Sequence, residues 1–391
     1  MREKTGAMAG YLFSLDSLDS LNLYVENGVY STKLPTPSNL WRPPQEGTFA
    51  DYVTMKEGDN VYFFIQRKIY GIGELVNVQN NCKFCNFPDA SFPKPSNYSD
   101  VKNQLLWDEG EFSKDQRWLC LFKPSPYFFC KGIDMDDVLS SNPFAFKMLR
   151  AFWKLSFIKF DDEENQAFKD VILKFNQEPL RRQVEEENIF ASSYVQMHTA
   201  ISEKLSTDDY TLDVTPILSS CAEGDRLKHE MAVEAGLLTQ LSRSDSPTEA
   251  VFGNWDYLSH QVIASPFKPI DYMDKMDVFG YSYVIGFSPT KSKFLVIEIK
   301  KDAGSEGDIE QLLKYVDWVK DEYCFGDYSM INAFLVGYAF DQSVIDHNKV
   351  FSVRRYTIGR RPAESIEWSY LNLVRYRFHP QDQNLLFEIV A

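Results

Sequence analysis

Apolar and polar positions are patterned most clearly over residues 294–300, which read Phe-Leu-Val-Ile-Glu-Ile-Lys. This almost wholly apolar run predicts a buried β-strand that ends with a carboxylate and an ammonium two residues apart. Because side chains alternate along a strand, Glu298 and Lys300 share one face, and Leu295, Ile297 and Ile299 share the other. Charges at the end of a buried strand are costly unless they are paired, hydrated or bound to a metal. We therefore expect these two residues to have a function.

The first half of the chain is predicted to be mainly β-structure over residues 8–80. Residues 56–65 indicate a turn and a strand, and residues 69–76 indicate its hairpin partner, with glycines where a barrel strand would bend. Further strands are predicted near 118–122 and 127–130. A helix is predicted from Asp162 to about Asn176, because acidic residues in its first turn suit the helix dipole.

From about residue 222 the pattern changes to a helix beginning at Asp225, then strands, then a helix from Asp308 to Glu322 and a strand from Ile331. A chain of 391 residues is too long for one ordinary core. We expect an α+β or α/β protein of two domains, residues 8–180 and 222–391, joined by a helical linker over 181–221.

The net charge of −15 argues against a protein that coats nucleic acid non-specifically, but an acidic nuclease remains compatible with it. No apolar run is long enough to span a bilayer, and no signal-peptide pattern follows the first residues. Six scattered cysteines fit a reducing compartment. These features predict a cytoplasmic protein without a membrane partner.

Asp277 lies on the strand that precedes Glu298, so a long hairpin would bring both carboxylates to the same end of the sheet. Carboxylate oxygens are hard ligands suited to Mg²⁺, or to Mn²⁺ in the same role. Lys300, on the same face, could orient an attacking water or stabilise charge on a phosphate.

These residues carry a resemblance. Asp277 followed by Glu298-Ile299-Lys300, and then by Gln311 and Tyr315 on the next helix, resembles the D…(D/E)-x-K and Q-x-x-x-Y motifs of the RecB-like branch of the PD-(D/E)XK nuclease superfamily. The family order α-β-β-β-α-β matches the reading of residues 225–338. Met276 stands where the family often has proline. The resemblance implies a mixed-sheet nuclease core flanked by helices, with Asp277 and Glu298 as metal ligands.

That family also places a glutamate on the helix before the core strands. The resemblance implies Glu230 as a further metal ligand, with Glu234, one turn later, as the alternative. Gln311 and Tyr315 would support the site or touch DNA. Each has a structural alternative: Gln311 fits a capping box that starts at Asp308, and Tyr315 could simply pack.

The hairpin over residues 56–75 is similar to the "GD-x-V-x-F-Y … G-I-G" segment of EVE and other PUA-like β-barrels. This implies an N-terminal PUA-like barrel with helices that reads nucleic acid, often through a flipped or modified base held by aromatic side chains. Trp41, Trp107 and Trp118 are candidates by residue type, with core packing as the alternative. Cys82-x-x-Cys85 resembles half a zinc site, but no second pair follows at suitable spacing.

A local excess of arginine over residues 352–379 is notable in so acidic a chain. Arginine suits phosphate through its bidentate geometry, so this segment could seat a DNA backbone. The alternative is a solvated pair of strands. The six arginines are Arg354, Arg355, Arg360, Arg361, Arg375 and Arg377.

The sequence thus predicts a Mg²⁺-dependent endodeoxyribonuclease, of the prokaryotic restriction or anti-phage kind, that recognises a DNA feature with its first domain. Cleavage of a duplex favours a homodimer, because one such site cuts one strand. The alternatives are a DNA-binding module whose nuclease fold does not cut, and an RNase or structure-specific nuclease. No Walker A loop or dinucleotide fingerprint is present, which disfavours an NTPase or a dehydrogenase.

Overall fold

The structure is a computed structural model that describes residues 8–34, 40–90, 92, 97–147, 157–182, 193–264 and 274–391. The chain forms two compact units. The N-terminal unit comprises residues 8–41 and Met55–Asp213, and the C-terminal unit comprises Arg42–Thr54 and Val214–Ala391. Each unit has its own sheet and helices, so the chain has a mixed α/β fold.

The strands are named in chain order. They are β1 Gly10–Ser14, β2 Val29–Lys33, β3 Asn60–Ile65, β4 Lys68–Leu75, β5 Lys83–Cys85, β6 Gln116–Asp134, β7 Phe157–Phe160, β8 Ala222–Glu223, β9 Arg226–Leu227, β10 Tyr257–Ile263, β11 Lys275–Tyr283, β12 Lys291–Ile299, β13 Ala303–Gly304, β14 Ile331–Gly337, β15 Ala339–Phe340, β16 Arg354–Ile358, β17 Glu364–Trp368, β18 Leu371–His379 and β19 Asn384–Ile389.

The α-helices are named in the same way. They are α1 Leu18–Asn27, α2 Pro43–Val53, α3 Tyr98–Val101, α4 Met135–Ser141, α5 Asp162–Phe175, α6 Gln177–Arg182, α7 Ser193–Leu205, α8 Thr215–Cys221, α9 Glu230–Ser242, α10 Ser246–Phe252, α11 Glu306–Glu322 and α12 Gln342–Phe351. Among the described residues, no helix has both the length and the apolar character needed to cross a membrane.

The sheet of the N-terminal unit has the order β2-β6-β4-β3-β1-β7, with β5 also paired to β6. It curls into a half-barrel because the long strand β6 pairs with β2 at one end and with β4 at the other. The register of β4 shifts on both sides of Gly71, where a β-bulge or irregularity lies. A Cβ on Gly73 would lie 2.5 Å from Val61, so glycine permits this close packing.

The Gly58-Asp59 pair of the hairpin motif has a structural explanation within this unit. Gly58 has a φ of +91°, which favours glycine. The buried Asp59 carboxylate accepts hydrogen bonds from the backbone N–H groups of Ala9 and Lys56, at 2.8 and 2.9 Å. Asp59 therefore joins the turn before β3 to the residue before β1. A closed PUA-like barrel that reads bases stays a prediction.

The sheet of the C-terminal unit has the order β10-β11-β12-β14-β18-β19. Strands β10, β11 and β12 are antiparallel neighbours, whereas β12, β14 and β18 are parallel. The parallel step from β12 to β14 is made by α11, whose apolar stripe is buried as its periodicity predicts. The buried residues Phe294–Ile299 lie near the centre of this sheet, between β11 and β14.

Several boundaries differ from the sequence predictions. The helix predicted from Asp225 begins at Glu230, because residues 222–227 form the small β8–β9 hairpin. The helix predicted from Asp308 begins at Glu306 and is capped by Ser305. The two strands predicted near 118–130 are one continuous strand, β6.

Two segments also group differently from the domain boundaries drawn on the sequence. Residues 42–54, placed in the first domain, form α2 in the C-terminal unit, with Pro43 at the helix start, where its missing N–H costs nothing. Residues 193–213, placed in the linker, belong to the N-terminal unit, where His198 on α7 contacts the Gly28 carbonyl oxygen at 2.9 Å.

Candidate active site

The structure brings Asp277 and Glu298 together at one end of the β11–β12 hairpin. Val278 is paired with Ile297, so the next position along each strand places Asp277 opposite Glu298 on the same face. Asp277 Oδ2 accepts a hydrogen bond from the backbone N–H of Ile299 at 2.7 Å, which fixes its carboxylate beside the end of β12.

Lys300 follows the last residue of β12 and lies beside this pair. Its Nζ donates to Glu298 Oε1 at 2.7 Å and lies 3.7 Å from Asp308 Oδ1 at the start of α11. The Glu298 side chain is 3% exposed and that of Lys300 is 22% exposed, so of these two side chains Lys300 has the greater access to solvent.

The helix carboxylate that reaches this cluster is Glu234, the alternative in the sequence analysis. Glu234 is fully enclosed on α9, whereas Glu230 is exposed in the first turn of that helix. The charge of Glu230 still contributes to raising the pKa of Asp277, so it lies in the same electrostatic neighbourhood. The geometry thus favours Glu234, and Glu230 lies at the margin.

Gln261 is a site residue that sequence reasoning missed. Its Nε2 donates to Asp277 Oδ1 at 3.1 Å and to Glu234 Oε2 at 3.3 Å, so it bridges a strand carboxylate and the helix carboxylate. Gln261 has a φ of +53° within β10, a conformation that non-glycine residues adopt rarely. A lone glutamine in a predicted strand carries no signal for this role.

Crowding of buried carboxyl groups sets the electrostatics of the site. Burial raises the pKa of Asp277 to about 6, although the backbone hydrogen bond from Ile299 and the charge of Lys300 both act to lower it. Burial and the charge of Asp277 raise the pKa of Glu298 to about 8. Burial, followed by the charge of Asp277, raises the pKa of Glu234 well above its usual range. The carboxyl groups therefore resist full ionisation without a counter-charge.

Lys300 supplies part of that counter-charge. Burial alone would lower the pKa of Lys300, but its hydrogen bond to Glu298 and the charges of Glu298, Asp277 and Asp308 raise it above the ordinary value. The ammonium therefore stays charged at neutral pH. One lysine cannot balance the carboxylates of Asp277, Glu298 and Glu234 together.

Gln311 and Tyr315 lie together on α11. Gln311 Nε2 donates to Tyr315 Oη at 2.6 Å, and the Tyr315 side chain is buried. Burial raises the pKa of Tyr315 to about 12, and the charges of Glu298 and Asp277 contribute. The capping alternative for Gln311 is wrong, because Ser305 and Asp308 form the capping box of this helix. Packing remains one role of Tyr315.

The donor set of this cluster and two of its unsatisfied atoms are of the kind that a divalent cation uses. Glu234 Oε1 and Glu298 Oε2 are buried without a hydrogen-bond partner among the described residues. Buried polar atoms without partners are unusual and call for an explanation. Hard carboxylate oxygens are the donors that Mg²⁺ and Mn²⁺ use. The residues that would hold such an ion are Asp277, Glu298 and Glu234.

The arginines of residues 352–379 divide into paired and unpaired members. Arg354 makes a two-atom contact with Asp317, and Arg355 pairs with Glu367 at 2.8 Å. Arg375 and Arg377 pair with Glu388 and Asp225. Arg360 and Arg361 lie exposed in the turn between β16 and β17, with no ion pair to any described residue. Within residues 352–379, this turn is where arginine charge is left unpaired by described carboxylates.

The tryptophans proposed for base stacking are buried. Trp41 is 5% exposed and stacks on Trp118 at a centroid distance of 5.4 Å and an interplanar angle of 8°. Trp107 packs against Tyr24 and is 2% exposed. This burial favours the alternative of core packing for Trp41, and its contact with nucleic acid stays a prediction.

No protein-family model matches this chain, and neither does any curated protein. Among solved structures, the chain is similar to the crystal structure of a repair endonuclease from Pyrococcus abyssi, with 22% identity and a TM-score of 0.16. This match covers 23% of the present chain and 35% of that chain, about a third of its length. So partial a similarity does not define the fold or the function of this chain.

Proposed function

We propose that this protein is a metal-dependent endonuclease that hydrolyses phosphodiester bonds in DNA. The observation that carries the proposal is the convergence of Asp277, Glu298 and Lys300 at one sheet end, with Glu234 from α9 beside them. The buried carboxylates of Glu234 and Glu298, each with an unsatisfied oxygen, lie with the half-buried Asp277 next to an ammonium, and this set is suited to a metal and a phosphate. A surface ion pair does not explain this burial.

The chain's own residues have separable roles in this proposal. Asp277, Glu298 and Glu234 hold Mg²⁺ or Mn²⁺, which supplies positive charge for the reacting phosphate and for activation of water. Lys300 orients the attacking water or stabilises the charge that develops on the phosphate. Gln261 fixes the carboxylates of Asp277 and Glu234, and Tyr315 with Gln311 closes the α11 side of the cluster.

Cleavage of a panel of DNA and RNA substrates tests the proposal directly. The full chain is incubated with duplex, single-stranded, modified and RNA substrates in Mg²⁺, in Mn²⁺ and in EDTA. We expect DNA cleavage that requires the metal and falls by at least about 100-fold in Glu298→Ala and Lys300→Ala, the scale for losing one preorganised electrostatic group. Glu310→Ala and Lys314→Ala, which change exposed residues of α11, are the matched controls.

The outcomes separate the rival functions. Cleavage that persists in EDTA, or in both Glu298→Ala and Lys300→Ala, contradicts the proposed site. Binding of DNA without cleavage in either metal identifies a binding module instead. Preferential cleavage of RNA would assign the site to a ribonuclease. Recognition of a modified base, a role in restriction and a homodimeric state are further parts of the proposal, addressed by the modified substrates and by the measured mass in solution.

A further inference from the structure

The C-terminal unit contains a second group of metal-binding side chains that the proposed nuclease site does not use. It consists of Glu46 on α2, Cys221 at the end of α8 and His229 just before α9. One ligand atom from each residue lies within 4.8 Å of the other two. We call this group the ECH cluster.

A short hairpin accounts for the placement of two of the three residues. Cys221 and His229 lie on either side of β8 and β9, which are joined by a turn at Gly224 with a φ of +69°. The backbone N–H of Lys228 donates to the Cys221 carbonyl oxygen at 3.0 Å, so the two arms stay paired up to the cluster. Cys221 and His229 are thereby held side by side by the backbone.

The third residue comes from a helix that packs closely on α9. Gly47, next to Glu46, faces Met231 on α9. A Cβ at position 47 would lie only 3.4 Å from Met231 Sδ, so the two helices are in close contact here. Glu46 Oε1 lies 2.8 Å from His229 Nδ1, and the Glu46 side chain is 0% exposed. The cluster therefore joins α2 to the start of the helix that carries Glu234.

An unsatisfied atom indicates that the Glu46–His229 pair is not the whole site. Glu46 Oε2 is buried and has no hydrogen-bond partner among the described residues. Cys221 is also buried, at 3% exposure, while the His229 side chain is 31% exposed. The cluster thus has an enclosed carboxylate, an enclosed thiol and one partly open side where a water ligand and an incoming ion have access.

We propose that Glu46, Cys221 and His229 bind a Zn²⁺ ion that fastens α2 and the β8–β9 hairpin to the start of α9. Sulfur, nitrogen and carboxylate oxygen are the donors that zinc takes in proteins. At zinc bond lengths of about 2.0–2.3 Å, tetrahedral ligand atoms lie roughly 3.3–3.8 Å apart. The ligand atoms of Glu46, Cys221 and His229 all lie within 4.8 Å of one another, so small side-chain movements would bring them to these distances. The fourth ligand is water at the open side of His229, and the Cys221 thiol proton passes to solvent on binding.

This site differs from the proposed nuclease site in chemistry. The nuclease cluster offers only oxygen donors and suits Mg²⁺, whereas a cysteine and a histidine select a softer ion. Zinc here would be structural: it would position α9, and through α9 the buried Glu234. The two proposals stand independently, because zinc binding has a readout that requires no cleavage.

Metal titration of the full-length chain tests the proposal. After chelation, Zn²⁺ is added back in competition with a chromophoric chelator, in excess Mg²⁺ that saturates the oxygen site. We expect one zinc per chain. Co²⁺ in place of Zn²⁺ should give a thiolate-to-cobalt charge-transfer band, which carboxylates alone cannot produce. Absence of this band from the wild-type chain overturns the proposal without any variant.

Variants assign the ligands. Cys221→Ser and His229→Gln should weaken zinc binding by more than the roughly 10–100-fold that loss of an outer-shell partner costs, and Cys221→Ser should abolish the cobalt band. Cys324→Ser, which changes another buried cysteine of this unit, is the matched control and should keep both signals. Glu298→Gln should likewise leave them intact. Equal zinc affinity in wild type and Cys221→Ser contradicts the assignment, and so does loss of the band in Cys324→Ser.

Discussion

At the scale of single residues, the choice between Glu230 and Glu234 illustrates what burial adds to a motif. Both lie on α9, and any amphipathic helix offers several glutamates. The sequence predicted a helix start at Asp225, and on that basis Glu230 was the expected ligand with Glu234 as the alternative. The start at Glu230 separates them, because Glu230 then lies in the exposed first turn and Glu234 faces the strands.

Exchange of each glutamate for glutamine tests this assignment. We expect Glu234→Gln to slow cleavage by at least about 100-fold, because it removes one preorganised charge from the site. Glu230→Gln should change the rate only a few-fold. Single-turnover cleavage rates at saturating enzyme give the comparison. A larger loss in Glu230→Gln than in Glu234→Gln would return the role to the residue that the motif first suggested.

Glu234→Gln should increase the stability of the fold although it slows cleavage. Glu234 is a buried carboxyl group close to Asp277, and neutral glutamine relieves both the desolvation and the repulsion. In EDTA, we expect Glu234→Gln to raise the free energy of unfolding by roughly 0.5–2 kcal/mol, the usual gain at such sites. Denaturant titration measures it. A lower stability of Glu234→Gln would mean that the hydrogen bond from Gln261 to the Glu234 carboxylate stabilises the fold more than the burial of that carboxylate destabilises it.

Asp59 predicts a pH dependence in the N-terminal unit. Burial raises its pKa to about 6, although the charge of Lys159 and the hydrogen bonds from two backbone N–H groups act to lower it. The unfolded value is about 3.9, so the folded chain binds this proton more tightly. Its contribution to stability is therefore fully present below about pH 4 and is lost as the pH rises through about 6.

Comparison with Asp59→Asn isolates this contribution, because asparagine does not titrate. We expect the stability difference between wild type and Asp59→Asn to favour wild type more at pH 4.5 than at pH 7, by about 2 kcal/mol. Denaturant titrations at the two pH values give the comparison. A difference that is the same at both would show that Asp59 has an ordinary pKa in the folded chain.

At the scale of elements, hydrophobic periodicity gave the most reliable predictions of strands and helices. The apolar runs predicted β12 and β14, and the helix predicted over Asp308–Glu322 is α11, which buries Ile309, Leu312, Leu313 and Val316 on one face. These segments are long and bury one consistent face, so local pattern and tertiary packing agree. The hairpin that pairs β3 with β4 was readable for the same reason.

The boundaries of helices and domains, and contacts between residues distant in sequence, were harder to predict from the sequence. Residues 42–54 contain Pro43 and Pro44, which indicate a loop as readily as a helix start, and only packing in the C-terminal unit decides for α2. The ECH cluster depends on this placement, because Glu46 is far in sequence from Cys221 and His229. The positive φ of Gln261 is likewise set by tertiary structure and has no local signature.

The cap of α11 connects an element to the site. Ser305 caps the helix through the backbone N–H of Asp308, and Asp308 lies near Lys300. We expect Ser305→Ala to lower the free energy of unfolding by about 0.5–2 kcal/mol and also to slow cleavage. Ser17→Ala, which removes the cap of α1 in the other unit, should cost similar stability and leave cleavage unchanged. Equal effects of both variants on cleavage would exclude a specific link through Asp308.

At the scale of the whole molecule, a net charge of −15 requires that any contact with DNA be local. Most arginines of residues 352–379 are neutralised by carboxylates, so the arginine count overstates the free positive charge. Arg360 and Arg361 in the β16–β17 turn are exposed and have no ion pair among the described residues. This turn is the part of the segment best suited to seat a phosphate backbone.

The salt dependence of DNA binding measures this contribution. If the turn contacts two phosphates, the double variant Arg360→Ala/Arg361→Ala should reduce the slope of log affinity against log salt by about 2. Binding is measured by fluorescence anisotropy in the Glu298→Gln background, so that the DNA stays intact. Arg355→Ala is the matched control from the same hairpin, and its pairing with Glu367 should limit the change in slope to below about 1. An unchanged slope in the double variant would place the DNA-binding surface elsewhere on the molecule.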